Sequence, residues 1–74
     1  MTTVYLERLD PARNLYRFYR LSLAQNLFGE WSLMREWGRL GFAGHVKLDL
    51  YDTLAAAQAA LSKKLQEKRR RGYQ

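Results

Sequence analysis

Trp37-Gly38-Arg39 places a large aromatic plane and a guanidinium two residues apart, with a glycine between them. On an extended strand that spacing puts both side chains on one face. The glycine removes the only side chain that could bar close approach from the other side. A flat ring beside a fixed cation suits a sugar or base next to a phosphate: the ring stacks and the guanidinium forks onto the oxyanion. Strand alternation supplies a competing reading. Trp37 shares its nominal face with Trp31 and Leu33, so strict alternation would bury all three, unless a bulge at Gly38 turns the indole outward.

Other cations extend the pattern. Arg17, Arg20, Arg35 and Lys47 interleave with aromatics in strand-like segments, as in single-strand and strand-end binders, though solvated sheet faces carry such residues too. Lys63, Lys64, Lys68, Arg69, Arg70 and Arg71 hold six of the 13 Lys/Arg, with Glu67 alone to offset them. Such a run either tracks phosphates or complements a helix C-terminus through the macrodipole. The whole chain of 74 residues carries a net charge of +6. A small domain this basic attracts polyanions through its summed field, and solubility is the plainer explanation of the same composition.

Several chemistries lack their residues. There is no cysteine, so no disulfide framework or thiolate metal site forms. His45 is the single histidine and has no second ligand beside it. Ser22, Ser32 and Ser62 lie in no nucleophile motif, and Gly41 and Gly44 read as hairpin glycines rather than a phosphate-cradling loop. We therefore expect no enzyme activity, no cofactor, no metal and no small-molecule substrate. The start lacks a basic stretch followed by an apolar one. No apolar run approaches the ~20 residues that cross a bilayer. The expected setting is the cytoplasm, away from membranes.

The elements that position these residues are legible. Val4 to Leu9 is a short strand, and Asp10 to Asn14 a turn built around Pro11. Leu15 to Leu23 is the longest strand, Ala24 to Glu30 a connection, and Trp31 to Leu40 the next strand. Gly41 to Gly44 forms a hairpin loop. His45 to Tyr51 alternates cleanly, with Val46, Leu48 and Leu50 on one side, the period of a half-buried strand. Asp52 or Thr53 can cap a helix from Leu54 to about Arg71, with Leu54, Ala57, Leu61 and Leu65 as its buried stripe. Lys63–Glu67 and Glu67–Arg71 are i,i+4 pairs, and Gly72 suits the left-handed position that ends a helix. Tyr73 is expected to fold back and pack. One domain, 1–74, results: an α+β fold in which an antiparallel sheet of about four strands carries the helix on one face. The opposite face is expected to be free, and to display Trp37 with positive charge around it.

Arg17-Phe-Tyr-Arg-Leu-Ser-Leu23, Leu27-Phe-Gly-Glu-Trp-Ser-Leu33, Arg35-Glu-Trp-Gly-Arg-Leu-Gly41 and Lys68-Arg-Arg-Arg-Gly-Tyr73 together resemble the WGR domain, in order and at that family's spacing. The chain looks like the small stand-alone bacterial version of a module that also accompanies catalytic domains in DNA-dependent poly(ADP-ribose) polymerases. The resemblance implies an antiparallel sheet with one packed helix, and DNA binding near a strand break. It implies that Trp37 stacks on a sugar at the strand end and that Arg17 contacts phosphate. It assigns the motif arginine to Arg39, which in the polymerases also touches neighbouring domains. Tyr16 and Ser22 stand where many polymerase members carry Asn and Gln. Nothing resembles an ADP-ribosyl-transferase domain. A bacterial cytoplasmic or nucleoid location follows.

The expected function is nucleic-acid binding, to DNA strand ends or breaks with low sequence specificity, with RNA left open. Trp37 and Gly38 would form the stacking surface. Arg39, Arg35 and Arg17 would contact phosphate or sugar, and Lys64, Lys68 and Arg71 would extend the positive surface. The alternative is a protein-interaction module using the same exposed sheet face.

Overall fold

A computed structural model describes residues 2–74. Four strands run β1 (Thr2–Asp10), β2 (Leu15–Gln25), β3 (Trp31–Arg39) and β4 (His45–Tyr51), followed by α1 (Leu54–Arg70). They form one antiparallel meander in the order β1-β2-β3-β4. A single 3-10 turn, Pro11–Arg13, joins β1 to β2 and ends at Asn14 in the left-handed region, φ 56°. The α+β architecture expected from the sequence is the one observed, with β1 and β2 longer by one or two residues at their ends, β3 shorter by one and β4 as expected.

The β2–β3 register decides which side every residue takes. Tyr19 lies opposite Trp37, Leu21 opposite Arg35, and Leu23 opposite Leu33. Leu6 and Val4 of β1 join the same face, opposite Tyr19 and Leu21. This is the face that α1 covers. Leu6, Tyr19, Leu21, Leu33 and Tyr73 are buried there, with Ala60, Leu61 and Leu65 of the helix packed against them. Ala57 is wholly buried, its small side chain admitting close approach of helix and sheet, while Leu54 at the first turn stays exposed. Thr53 is the cap; its hydroxyl accepts the Ala56 amide at 3.1 Å.

On β4 the alternation is real, but its apolar side points the other way. Val46, Leu48 and Leu50 are 59%, 57% and 53% exposed, because pairing Leu33 with Asp49 and Trp31 with Tyr51 sends the odd residues toward the helix. The face away from the helix is also not bare of packing. Phe18 is buried there, stacked on Tyr5 with centroids 6.3 Å apart, and it lies opposite Gly38. Arg20 crosses this face to Glu36 at 2.8 Å.

The chain end is tied down by the turn that stops the helix. Gly72 (φ 96°) lets its own amide reach the Arg69 carbonyl and the Tyr73 amide reach the Lys68 carbonyl at 3.0 Å. This Schellman arrangement satisfies the last carbonyls and drops Tyr73 into the core, edge-on to Tyr19. Gln74 then exchanges two backbone hydrogen bonds with Glu7 on the outer edge of β1. Lys68 rests over the Tyr19 and Tyr73 rings, 4.5 and 5.7 Å from their centroids. Burial lowers its ammonium below the ordinary lysine value, helped by the nearby charges of Arg71 and Lys64. The helix ion pair is Lys64–Glu67, at i,i+3 and 3.1 Å, and it holds the Glu67 carboxyl below the usual range. Neither expected i,i+4 pair forms.

Two predictions follow from this packing. A Cβ on Gly44 would run into the Trp37 carbonyl and lie 3.1 Å from the Phe18 ring, and one on Gly38 would lie 2.8 Å from the Gly44 Cα. Gly44→Ala should therefore cost about 1–3 kcal/mol in urea unfolding, the usual range for overpacking; an unchanged midpoint would show that the β3–β4 hairpin yields freely. Lys68 gives a pH signature. The unfolded chain keeps its proton up to the ordinary lysine value and the folded chain releases it earlier, so stability rises with pH through the interval below that value. The wild-type unfolding free energy measured against Lys68→Met should climb by a fraction of a kcal/mol between about pH 7 and about pH 10. A difference that stays flat would contradict it.

Candidate nucleic-acid interface

Trp37 lies on the helix-covered face, contrary to the expectation that it stands on the free one. No bulge intervenes: β2 and β3 pair without interruption from Arg17–Arg39 to Gln25–Trp31, and Gly38 keeps its place opposite Phe18. The indole is nevertheless not sealed. It is half-buried, stacked on Tyr19 with centroids 5.9 Å apart and planes within 18°. Tyr73 and Lys68, the outermost groups from the helix end, reach Tyr19 on the neighbouring strand. On its other side is His45, whose ring is 5.7 Å away and tilted by 34°.

A cleft of about 380 Å³ opens at this end of the sheet. Trp37, Gly38, Arg39, Arg17 and His45 line it, together with Asn14, Leu15, Tyr16 and Tyr73. Its walls contain no Asp or Glu. Arg39 is held at the mouth: its guanidinium donates to the Asn14 carbonyl and to Asn14 Oδ1 at 3.4 and 3.3 Å, and lies 5.6 Å from the Tyr16 ring centroid. Asn14 can offer both acceptors because it ends the Pro11 turn in the left-handed conformation. Among the described residues, neither Arg17 nor Arg39 forms an ion pair. The cleft thus combines an aromatic floor with two exposed guanidiniums lacking counter-charges, in which any anion would be the first partner.

The other cations singled out in the sequence are placed differently. Arg35 is largely covered and bonds Asp49 at 3.1 Å, leaving its Nε buried without a partner. Lys64 is engaged by Glu67. Both line a second groove between α1 and the β3–β4 side of the sheet, where Asp49 and Glu67 neutralise them. Lys68 caps the Tyr19–Tyr73 pair, and Arg71 is exposed at the helix end. So Trp37, Gly38, Arg39 and Arg17 come together, while Arg35, Lys64, Lys68 and Arg71 do not line that cleft. The sequence reading missed Asn14, Tyr16, His45 and Tyr73 as cleft residues. The sequence carried no signal for His45: a loop limited to Gly41–Gly44 would pair it with Leu40, whereas the observed register pairs it with Trp37.

No group of three or more His, Asp or Glu among the described residues is placed to hold a metal ion. No helix is long and apolar enough to cross a membrane.

Comparison with known proteins identifies the family. No solved structure matches the chain significantly. A curated relative, "Uncharacterized protein y4dW" of Sinorhizobium fredii (strain NBRC 101917 / NGR234), is 41% identical over 70 residues, covering 95% of this chain and 34% of its own length. The chain therefore spans about a third of the curated relative it matches. The family model described as WGR domain matches residues 2–74, nearly the whole sequence, and the chain belongs to the WGR domain family.

Proposed function

We propose that this chain is a nucleic-acid-binding module that takes DNA, at strand ends or breaks and with low sequence specificity, through the cleft beside Trp37. The observation that carries the reading is the charge of that cleft: Arg17 and Arg39 face it unpaired, around a half-buried indole, with no acid in its walls. Family membership supports it, since the WGR domain is a nucleic-acid-binding module in poly(ADP-ribose) polymerase-like proteins. Binding, not catalysis, is the role proposed.

In this reading Tyr19 and His45 hold the indole between them, and a sugar or base packs on the part of it that they leave open to the cleft. The guest proposed is a terminal nucleotide, which the resemblance to the strand-break-binding WGR modules implies. Arg39, pre-oriented by Asn14, and Arg17 grip phosphate oxygens. Phosphate and sugar contacts carry no base information, so selectivity among sequences is low. Arg35, Lys64, Lys68 and Arg71 act through the summed field, Arg35 and Lys64 weakly because an acid offsets each. The protein-interaction alternative would use this same cleft, since the β2–β3 register puts Trp37 and Arg39 on the helix-covered side and not on the exposed sheet face expected for both readings.

Binding to nicked, recessed and blunt duplexes across a salt series tests the reading. Wild type should lose affinity steeply with salt, and Arg17→Ala and Arg39→Ala should each flatten the log–log slope by about 0.9 while weakening binding. Trp37→Ala should cost about 1–3 kcal/mol of stacking, read on variants whose folding is verified by circular dichroism. Lys64→Ala should change affinity by less than about twofold, as a screened surface pair does. Wild-type affinity in Arg17→Ala and Arg39→Ala would place the interface elsewhere.

A further inference from the structure

The two outer edges of the sheet are unlike. On β1, Gln74 already exchanges backbone hydrogen bonds with Glu7. The β4 edge carries no strand beyond it, because β4 is the last in the order and pairs with β3 alone. Val46, Leu48 and Leu50 project from that edge strand onto the helix-free face, each more than half exposed. An open, regular edge with apolar side chains is a template for another strand.

We propose that β4 pairs antiparallel with β4 of a second copy of this chain, centred on Leu48, joining two sheets into one of eight strands. The commitment to a second copy rests on the pattern of the strand, His-Val-Lys-Leu-Asp-Leu-Tyr from 45 to 51, which is self-complementary about its middle residue. With Leu48 on the two-fold axis, Lys47 of each copy lies opposite Asp49 of the other, and Val46 opposite Leu50. His45 then lies opposite Tyr51. Antiparallel pairing puts opposed side chains on one face, so both apolar pairs fall on the helix-free side and both charge pairs on the helix side.

Charge supports the same register. A lysine on an edge strand ordinarily repels pairing. Lys47 is exposed and, among the described residues, has no ion pair. The symmetric register gives it a carboxylate at Asp49, whose second oxygen is not used by Arg35. Any shift by two residues would remove that match. The two-fold axis runs perpendicular to the sheet. Both helices therefore lie on one side of the joined sheet, and the two Trp37 clefts open at opposite ends of it. Leu48 lies outside the cleft, and of the paired strand only His45 at its start is a cleft wall.

An edge of seven residues makes a small interface, so association is expected to depend on concentration. Each copy carries +6, and that long-range repulsion is screened by salt. Dimerisation should therefore strengthen with salt, the reverse of nucleic-acid binding. Sedimentation equilibrium of the intact chain tests this, at concentrations up to millimolar and at low and high salt. The expected wild-type result is a mass rising from 8.8 kDa toward twice that value, more readily at high salt. Leu48→Lys, which brings two like charges together on the axis, should weaken the dimer at least about tenfold. Lys47→Glu, which faces Asp49 with a like charge, should do the same, and serves if Leu48→Lys fails to fold. Leu48→Lys, whose site lies outside the cleft and which removes no cation, should bind nucleic acid at least as tightly as wild type. A wild-type mass of 8.8 kDa under every condition would overturn the proposal, as would a dimer that folded Leu48→Lys or Lys47→Glu leaves untouched.

Discussion

The pairing of Tyr19 with Trp37 across β2 and β3 is the constraint from which the rest of the molecule follows. A side chain changes face if its strand slips by one residue, so this register allocates the whole sheet. It sends Leu21, Leu23 and Leu33 to the helix, and Phe18 and Gly38 to the other side. It also builds the aromatic line Tyr73–Tyr19–Trp37–His45, each ring within about 6.1 Å of the next. The buried end of that line belongs to the core. The open end belongs to the cleft. Core and cleft therefore share one row of rings, and a change at Tyr19 would be felt at both ends.

The glycine of the Trp-Gly-Arg run takes its meaning from the same register. It does not clear the way for a ligand on the Trp37 side. A Cβ at Gly38 would press on the Gly44 backbone and approach the Phe18 ring, which is buried on the opposite face. Phe18 covers both Gly38 and Gly44. The close approach they permit holds β4 near enough to β3 for His45 to stand beside Trp37. A residue that reads as part of the site is thus a packing residue that sets the site's width.

The elements were legible because each had a local cause. Period-two alternation marked β2 and β4, a threonine and a run of alanines marked the start of α1, and Gly72 marked its end. The side of the sheet on which each strand face would lie was not legible, because alternation gives two faces and does not name them. On β4 the more apolar side looks like the buried one by hydropathy alone, yet register with β3 overrides it, and Tyr51 with the stem of Asp49 takes the covered side. Trp37 was misplaced for the same reason: the expectation puts it on the free face, and its register with Tyr19 puts it on the covered one. The cations were misjudged differently. Sequence shows Arg35 and Lys64 as positive charges, and only the fold shows Asp49 and Glu67 beside them.

Sorting cations by their partners changes what the net charge means. A formal +6 spread evenly would attract polyanions anywhere on the surface. Arg13, Arg20, Arg35 and Lys64 each have a carboxylate within 4 Å, so their fields fall off as dipoles. The charge that survives at a distance comes from residues without such partners, among them Arg17 and Arg39 at the cleft and Arg69, Arg70 and Arg71 at the helix end. The Schellman turn places Tyr73, a wall of the cleft, directly after that basic helix end. The unpaired cations and the aromatic floor are thereby gathered toward one region of the molecule by backbone geometry.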